Sequence, residues 1–462
     1  MLGDWRHNGA KRGASDLAAA VELQVRDGRL PAGTRLPAER ELADALGVSR
    51  TLVGGALDRL RERGLVASRQ GAGSWVTPPA AGATPPSDAG RRPDRDLAQA
   101  SPPAVPGLLD AVDAVRPRLA AELLEHGYSA QGLPVLRERI AQRYTARGLP
   151  TSPAQVLVTN GAQHAFALVL RALTAPGDRV LVEQPSYPNT PVAIRAANAQ
   201  PVPVAVDPDD GWDLPGVEAA LRQAAPRLAH FTVDFQNPTG QLLDADGRER
   251  LGAALARART PAVVDETMAE LDLRPDPEPV VPLAAFAGEW AITVGSAAKS
   301  YWGGLRLGWI RASEELVDRL VSARCSLDLG SPVLEQLVLA ELLADPEPLL
   351  FRRRAEVRVM RDAVVAALGE HCPDWTFRVP DGGLSLWCRL PEPMSTRLSV
   401  AAANHGVQVA PASRFGVHGG LERWLRVPFS LLPDRSHEAV RRLGLAAASV
   451  RSGAADVAVA VT

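Results

Sequence analysis

From Pro78 to Arg95 the chain contains no Leu, Ile, Val, Phe or Met and shows no hydrophobic period. Pro, Gly, Ala and late charged residues fill the stretch. Too little apolar surface is present there to offset the entropy of ordering, so a linker is expected over 78–95. This break governs what the chain can fold into. A head at 11–77 and a body at 96–450 must each bury a core of their own. The length of 462 residues suggests roughly two or three domains. The Ala/Val-rich tail after Ser452 carries no assigned role, and no internal repeat is visible.

Apolar residues make up 46% of the sequence, enough for a large core, and the net charge is −2. No global basic field marks the whole chain as a nucleic-acid binder. From Lys11 to Thr77, however, eleven Lys/Arg stand against eight Asp/Glu, a local charge of +3. Cys325, Cys372 and Cys388 are odd in number and lack metal-ligand spacing, so reduced thiols in a cytoplasmic protein are expected. The segment Asp4-Trp5-Arg6-His7 has no apolar signal core. No apolar run reaches the ~18 residues needed to span a bilayer, which predicts no membrane partner.

In the head, Ser15 is suited to cap a helix running to about Arg26, with Gly28 closing it. Pro37 fits the first turn of a second helix that ends near Leu46-Gly47. Ser49 caps a third, with Leu52, Leu57 and Leu60 on one face and a stop at Gly64. Two β-prone runs, 65–68 and 74–77, flank Gln70-Gly71-Ala72-Gly73. Helix, helix, turn, helix, hairpin is the order of a winged helix-turn-helix, whose third helix enters the major groove. Arg59, Arg61 and Arg63 read as a solvated helix face, or at most as phosphate neighbours.

The strings Leu36-Pro37-Ala38-Glu39-Arg40-Glu41-Leu42-Ala43, Gly47-Val48-Ser49-Arg50-Thr51 and Arg69-Gln70-Gly71-Ala72-Gly73 resemble the DNA-binding domain of the GntR regulators. The resemblance implies double-stranded DNA as a partner. Arg40, Ser49, Arg50 and Thr51 would meet it at the helix starts, and Arg69 and the Gly71 backbone from the wing.

The body alternates helical patterns with apolar strands at 155–158, 179–182, 228–232, 262–264 and 291–294. That order argues an α/β domain with a mostly parallel sheet and working residues at strand ends. Lysine occurs only at Lys11 and Lys299. Arginine cannot replace lysine where a neutral amine must attack a carbonyl, so Lys299 is a candidate nucleophile. The aldehyde of pyridoxal phosphate (PLP) is one such carbonyl. Further candidates stand around it in chain order. Gly161-Ala162-Gln163 opens a helix after a strand, which suits phosphate. Tyr187 can stack on a ring. Asn237, in Asn-Pro-Thr-Gly, can donate to a phenolate. Asp265 ends an apolar strand and needs a cationic partner. Ser296 and Arg306 suit phosphate.

These motifs closely resemble the fold-type I aminotransferases, and Asn237 and Asp265 stand 28 positions apart, as in that family. The resemblance implies a large domain with a mostly parallel sheet, a smaller C-terminal α+β domain, and PLP bound as a Schiff base on Lys299. It implies a homodimer in which Tyr128 reaches the neighbouring subunit's phosphate, and Arg426 as the group that binds a substrate carboxylate. The family has a tyrosine two residues after the strand-end Asp; here Thr267 stands there and leaves a shorter hydroxyl.

A GntR head joined to such a body resembles the MocR transcription regulators. What this implies is a PLP-dependent, DNA-binding regulator that senses PLP or an amine or amino acid effector. Its transaminase activity would be a half-reaction or slow turnover at most. An aminotransferase that carries a DNA-binding head is the alternative.

Overall fold

Three short helices that meet through alanine and glycine build the head. The computed structural model describes residues 13–26, 30, 33–69, 73–77, 95–275, 277 and 279–451. Lys11, Gly28, Gly71, the linker before Arg95 and the tail from Ser452 lie outside these residues. Helices α1 (Ala14–Arg26), α2 (Glu39–Leu46) and α3 (Arg50–Glu62) enclose Leu17, Val53, Leu57 and Leu60, all buried. Gly55 lets α1 and α3 approach, because a Cβ there would stand 3.2 Å from that of Ala14. Helix α1 starts at Ala14, so Ser15 lies inside its first turn rather than at its cap. Pro37 likewise precedes the cap of α2, Ala38.

Strands β1 (Arg35–Leu36), β2 (Val66–Arg69) and β3 (Gly73–Val76) form a three-stranded sheet in the order β1-β3-β2. The two-residue β1 has no periodicity and was invisible in the sequence. Arg61 is not simply solvated: its Nε donates to the Ser68 hydroxyl at 2.8 Å and ties α3 to the wing.

The body opens with a short strand, β4 (Asp96–Leu97). An eight-stranded sheet follows, made of β5 (Val156–Thr159), β6 (Arg179–Gln184), β7 (Gln200–Asp207), β8 (Gly211–Trp212), β9 (Leu228–Phe231), β10 (Ala262–Asp265), β11 (Ala291–Ser296) and β12 (Gly308–Arg311). Its order is β5-β12-β11-β10-β9-β6-β7-β8, and only β12 and β8 run against the rest. Alternate residues serve opposite faces, as the pleat requires: Val263 joins one apolar cluster, Ala262 and Val264 the other. Helices cover both faces. The sequence reading missed β7 because Pro201 and Pro203 interrupt it. Antiparallel β8 meets β7 only at Val206 and Asp207, so the prolines have an edge on which no ladder bond is required.

A smaller lobe packs helices Glu347–His371, Ser395–Asn404 and Pro433–Arg451 on the antiparallel pair β13 (Ser385–Arg389) and β15 (Trp424–Pro428). Strand β14 (Gln408–Val409) pairs in parallel with β4. The chain leaving the linker is thereby sewn into the smaller lobe.

Arg353, on the long helix, is 1% exposed and binds backbone carbonyls. Its Nε donates to Ser300 O at 3.2 Å, and its Nη2 to Pro103 O at 2.6 Å and Tyr301 O at 3.3 Å. It joins the smaller lobe, the post-linker segment and the turn that carries Lys299. Replacing it with methionine keeps apolar bulk but removes the donors to Ser300 O and Pro103 O, while Tyr301 O keeps the Val105 N–H. Arg353→Met is expected to lower unfolding stability by about 3 kcal/mol, as read by urea denaturation.

Candidate functional site

The parallel strands deliver their carboxyl ends to one edge of the sheet, and a cleft of about 680 Å3 opens there between the two lobes. After β5, Gly161 turns into the helix Ala162–Leu173 with φ +88°. A Cβ on Gly161 would stand 3.2 Å from Arg306 Nη2. Gly308 is similarly required: its Cβ would lie 2.7 Å from the Gly161 carbonyl carbon. Because β12 runs antiparallel, its start lies at the same edge, and this brings Arg306 beside Gly161, Ala162 and Gln163. Arg306 itself has φ +56°, a conformation that non-glycine residues adopt rarely.

After β6, Tyr187 enters the cleft, and its hydroxyl accepts from Asn189 Nδ2 at 2.8 Å. Burial, then the charge of Asp265, pushes the Tyr187 phenol pKa upward. Past β9 comes Asn237, whose Oδ1 is buried without a partner. Asp265 closes β10 and accepts the Thr267 N–H at 2.9 Å. The Thr267 backbone thus fixes the carboxylate, and the residue lines the cleft beside it.

Beyond β11, Lys299 sits in a π-helical turn, Ala298–Trp302. The Ser296 hydroxyl steadies its start by accepting the Ala298 N–H at 3.1 Å. Lys299 Nζ donates to Ala100 O at 2.7 Å. Burial, reinforced by the positive charge of Arg426 and opposed by Asp265, lowers the Lys299 pKa from 10.5 to about 8. Arg426, on β15, is buried with its guanidinium 5.0 Å from the Phe415 ring centroid. Its Nη2 donates to Ala98 O and its Nε has no partner. Burial lowers its pKa to about 10.

Eleven of the twelve residues named for the cofactor and effector therefore line one cleft. Tyr128 does not: it is 65% exposed and packs on His126. The sequence reading missed Asn189, His230 and Arg414, which also line the cleft. His230 is 3% exposed on β9, Nδ1 unpartnered, with burial pushing its pKa down. A histidine inside an apolar strand carried no motif that could have flagged it.

The donor set fits a phosphorylated, aromatic carbonyl compound. Lys299, Arg306, Arg414 and Arg426 face only Asp96 and Asp265 across the cleft, a positive surplus that calls for an anion. Three buried polar atoms, on His230, Asn237 and Arg426, await partners. Lys299 supplies the amine.

On the head, the Ser49 hydroxyl caps α3 by accepting the Leu52 N–H at 3.2 Å. Arg50 beside it is 73% exposed, with Nε 3.7 Å from Glu39 Oε2. Arg40, Thr51 and Arg69 are exposed as well. These exposed side chains sit at or near helix starts and on the wing.

Head and cleft together define a DNA-binding domain joined to an aminotransferase-type body. The chain belongs to the class I and II aminotransferase family, whose model matches residues 106–443, and carries a head of the bacterial regulatory gntR family, matched over 14–76. It shares this architecture with the MocR-type regulators. The probable rhizopine catabolism regulatory protein MocR of Rhizobium meliloti is 30% identical over 430 residues, 86% of each chain. The 2-aminoadipate transaminase of Thermus thermophilus is 33% identical over 310 residues, covering 66% of this chain and 78% of the enzyme. Among solved structures, LysN, an α-aminoadipate aminotransferase of Thermus thermophilus complexed with N-(5'-phosphopyridoxyl)-L-leucine, superposes with a TM-score of 0.71. It is 30% identical, covering 77% of this chain and 92% of its own. Among the described residues, no helix is long and apolar enough to cross a membrane.

Reductive methylation by formaldehyde, followed by peptide mapping, reads the Lys299 amine directly. Below pH 8 the amine is protonated and unreactive; above it, neutral. The expected midpoint is about 8 rather than 10.5. Arg426→Gln removes a charge that favours the neutral amine, so the midpoint should move upward.

Proposed function

We propose that the chain is a cytoplasmic transcription regulator that holds PLP on Lys299 and responds to an amine, an amino acid or PLP itself. Bound PLP supplies an aldehyde for an amine and an electron sink for the carbon beside it. Asp265 would face its ring nitrogen, Asn237 its phenolic oxygen and Tyr187 its ring. Thr267 would stand near the phenolic oxygen in place of the family's tyrosine. Gly161, Ala162, Gln163, Ser296 and Arg306 would hold the phosphate. Arg426 would take an effector carboxylate. In a homodimer, the exposed Tyr128 would complete the partner subunit's phosphate site.

One observation carries the regulatory half of this reading. The segment that leaves the linker covers the site with its backbone. Ala98 O accepts from Arg426, Gln99 O from Ser430 Oγ at 3.1 Å, and Ala100 O from Lys299 Nζ at 2.7 Å. A Lys299 bonded to cofactor would give up its bond to Ala100 O, and an Arg426 drawn onto a carboxylate would loosen its bond to Ala98 O. Each release changes what holds the segment that leads to the head, and thereby the spacing or orientation of paired heads. The head would read DNA through Arg40, Ser49, Arg50, Thr51, Arg69 and Gly71.

The deciding measurement is an absorbance titration of the full chain with PLP and then with a panel of amines, run beside an operator-binding assay. Wild type should gain a visible band and change its DNA affinity. Lys299→Ala should lose both responses; an unchanged spectrum in that variant sinks the assignment. Multiple-turnover amino transfer to a 2-oxo acid would favour an aminotransferase carrying a DNA-binding head. Arg50→Ala should keep PLP and weaken operator binding by about 1–3 kcal/mol, and unaltered affinity would mean that α3 is not the reading helix.

A further inference from the structure

A second cleft lies between the lobes, behind the Lys299 site. Its volume is about 430 Å3, and Asp209 and Thr239 of the large lobe face Arg378, Trp387, Arg389 and Trp424 of the smaller one across it. Two features point to a ligand. The first is charge. Arg378 donates through Nη2 to Gly240 O at 3.0 Å, but its Nε is buried and unpartnered. Arg389 is exposed, and its side chain has no acceptor among the described residues. A guanidinium with a buried orphan donor, beside a second one held by nothing, suits a carboxylate. The second is shape. Trp387 and Trp424 stack at 5.7 Å with 4° between their planes. Trp387 is buried and Trp424 half-buried, which leaves the outer indole to receive a flat group.

Two contacts join this cleft to the first. Gly240 closes the Asn237-Pro238-Thr239-Gly240 turn, so Arg378 holds the loop that carries Asn237. Trp387 packs on Phe415 at 5.5 Å, and Phe415 lies beneath the Arg426 guanidinium at 5.0 Å. An occupant that shifts Arg378 or the indole pair therefore bears on both Asn237 and Arg426.

We infer that this rear cleft binds a small organic anion with a flat apolar group, and that its occupation alters the Lys299 site. The binding half stands independently of the function proposed above; the coupling half rests on it.

Equilibrium dialysis of the full chain against labelled benzoate tests the binding half, with and without PLP. Wild type should bind benzoate in both forms. Arg389→Ala should weaken that binding by about tenfold or more, the loss of a charge-assisted bond. Arg389 is exposed, so the fold should persist, as a circular dichroism melt would verify; Arg378→Gln offers a second variant with the same expectation. Arg426→Gln should retain rear-cleft binding. Failure of wild type to bind, indifference to Arg389→Ala, or loss through Arg426→Gln alone would overturn the site. For the coupling half, benzoate should shift the PLP absorbance titration of wild type and leave that of Arg389→Ala unmoved. Superimposable wild-type curves overturn the coupling. A chain that never develops the band sinks the cofactor reading and the coupling with it, while the dialysis still decides the cleft.

Discussion

Positive charge gathered in the cleft between the lobes is the constraint on which the rest of the structure depends. Burial disfavours the protonated forms of Lys299 and Arg426; the charge of Arg426 adds to the effect on Lys299, and that of Arg414 to the effect on Arg426. Asp265 offsets part of this and nothing else inside the cleft except Asp96 is acidic. The protein answers with fixed dipoles: backbone carbonyls of Ala98 and Ala100 accept from the two cations. Under the proposed function, those carbonyls would be released when cofactor or effector binds.

The reporting segment is short and tightly held. Strand β4 pairs with β14, Arg353 takes Pro103 O, and Val105 N–H donates to Tyr301 O at 3.0 Å. Both ends of the stretch that covers Lys299 are thus fixed to the body, one to the smaller lobe and one to the lysine turn itself. The lysine turn is thereby bonded to the segment that begins at Arg95. The rear cleft touches the same two lobes from the other side, through the Asn237 turn and Phe415.

Much of this was legible in the sequence. The order Gly161, Tyr187, Asn237, Asp265 and Lys299 places each residue at or past the end of a strand, and parallel strands gather such positions at one edge. The rarity of lysine singled out Lys299. Less legible were residues whose role depends on a neighbour far along the chain. His230 looks like any residue of an apolar strand, and Arg353 like any helix arginine. Tyr128, grouped with the cofactor residues on motif grounds, is exposed and lies outside the cleft.

The sequence by itself determined the division at the linker, the helix-turn-helix order of the head and the inventory of chemical groups in the body. These follow from local patterns: composition, capping residues and motifs read along the chain. Only the tertiary structure decided that the post-linker carbonyls lie on Lys299 and Arg426, that β12 runs antiparallel and so returns Arg306 to Gly161, and that two arginines and a tryptophan stack converge behind the Asn237 turn. Each joins positions far apart in sequence through packing and hydrogen-bond geometry, and neither periodicity nor motif spacing records where distant segments meet.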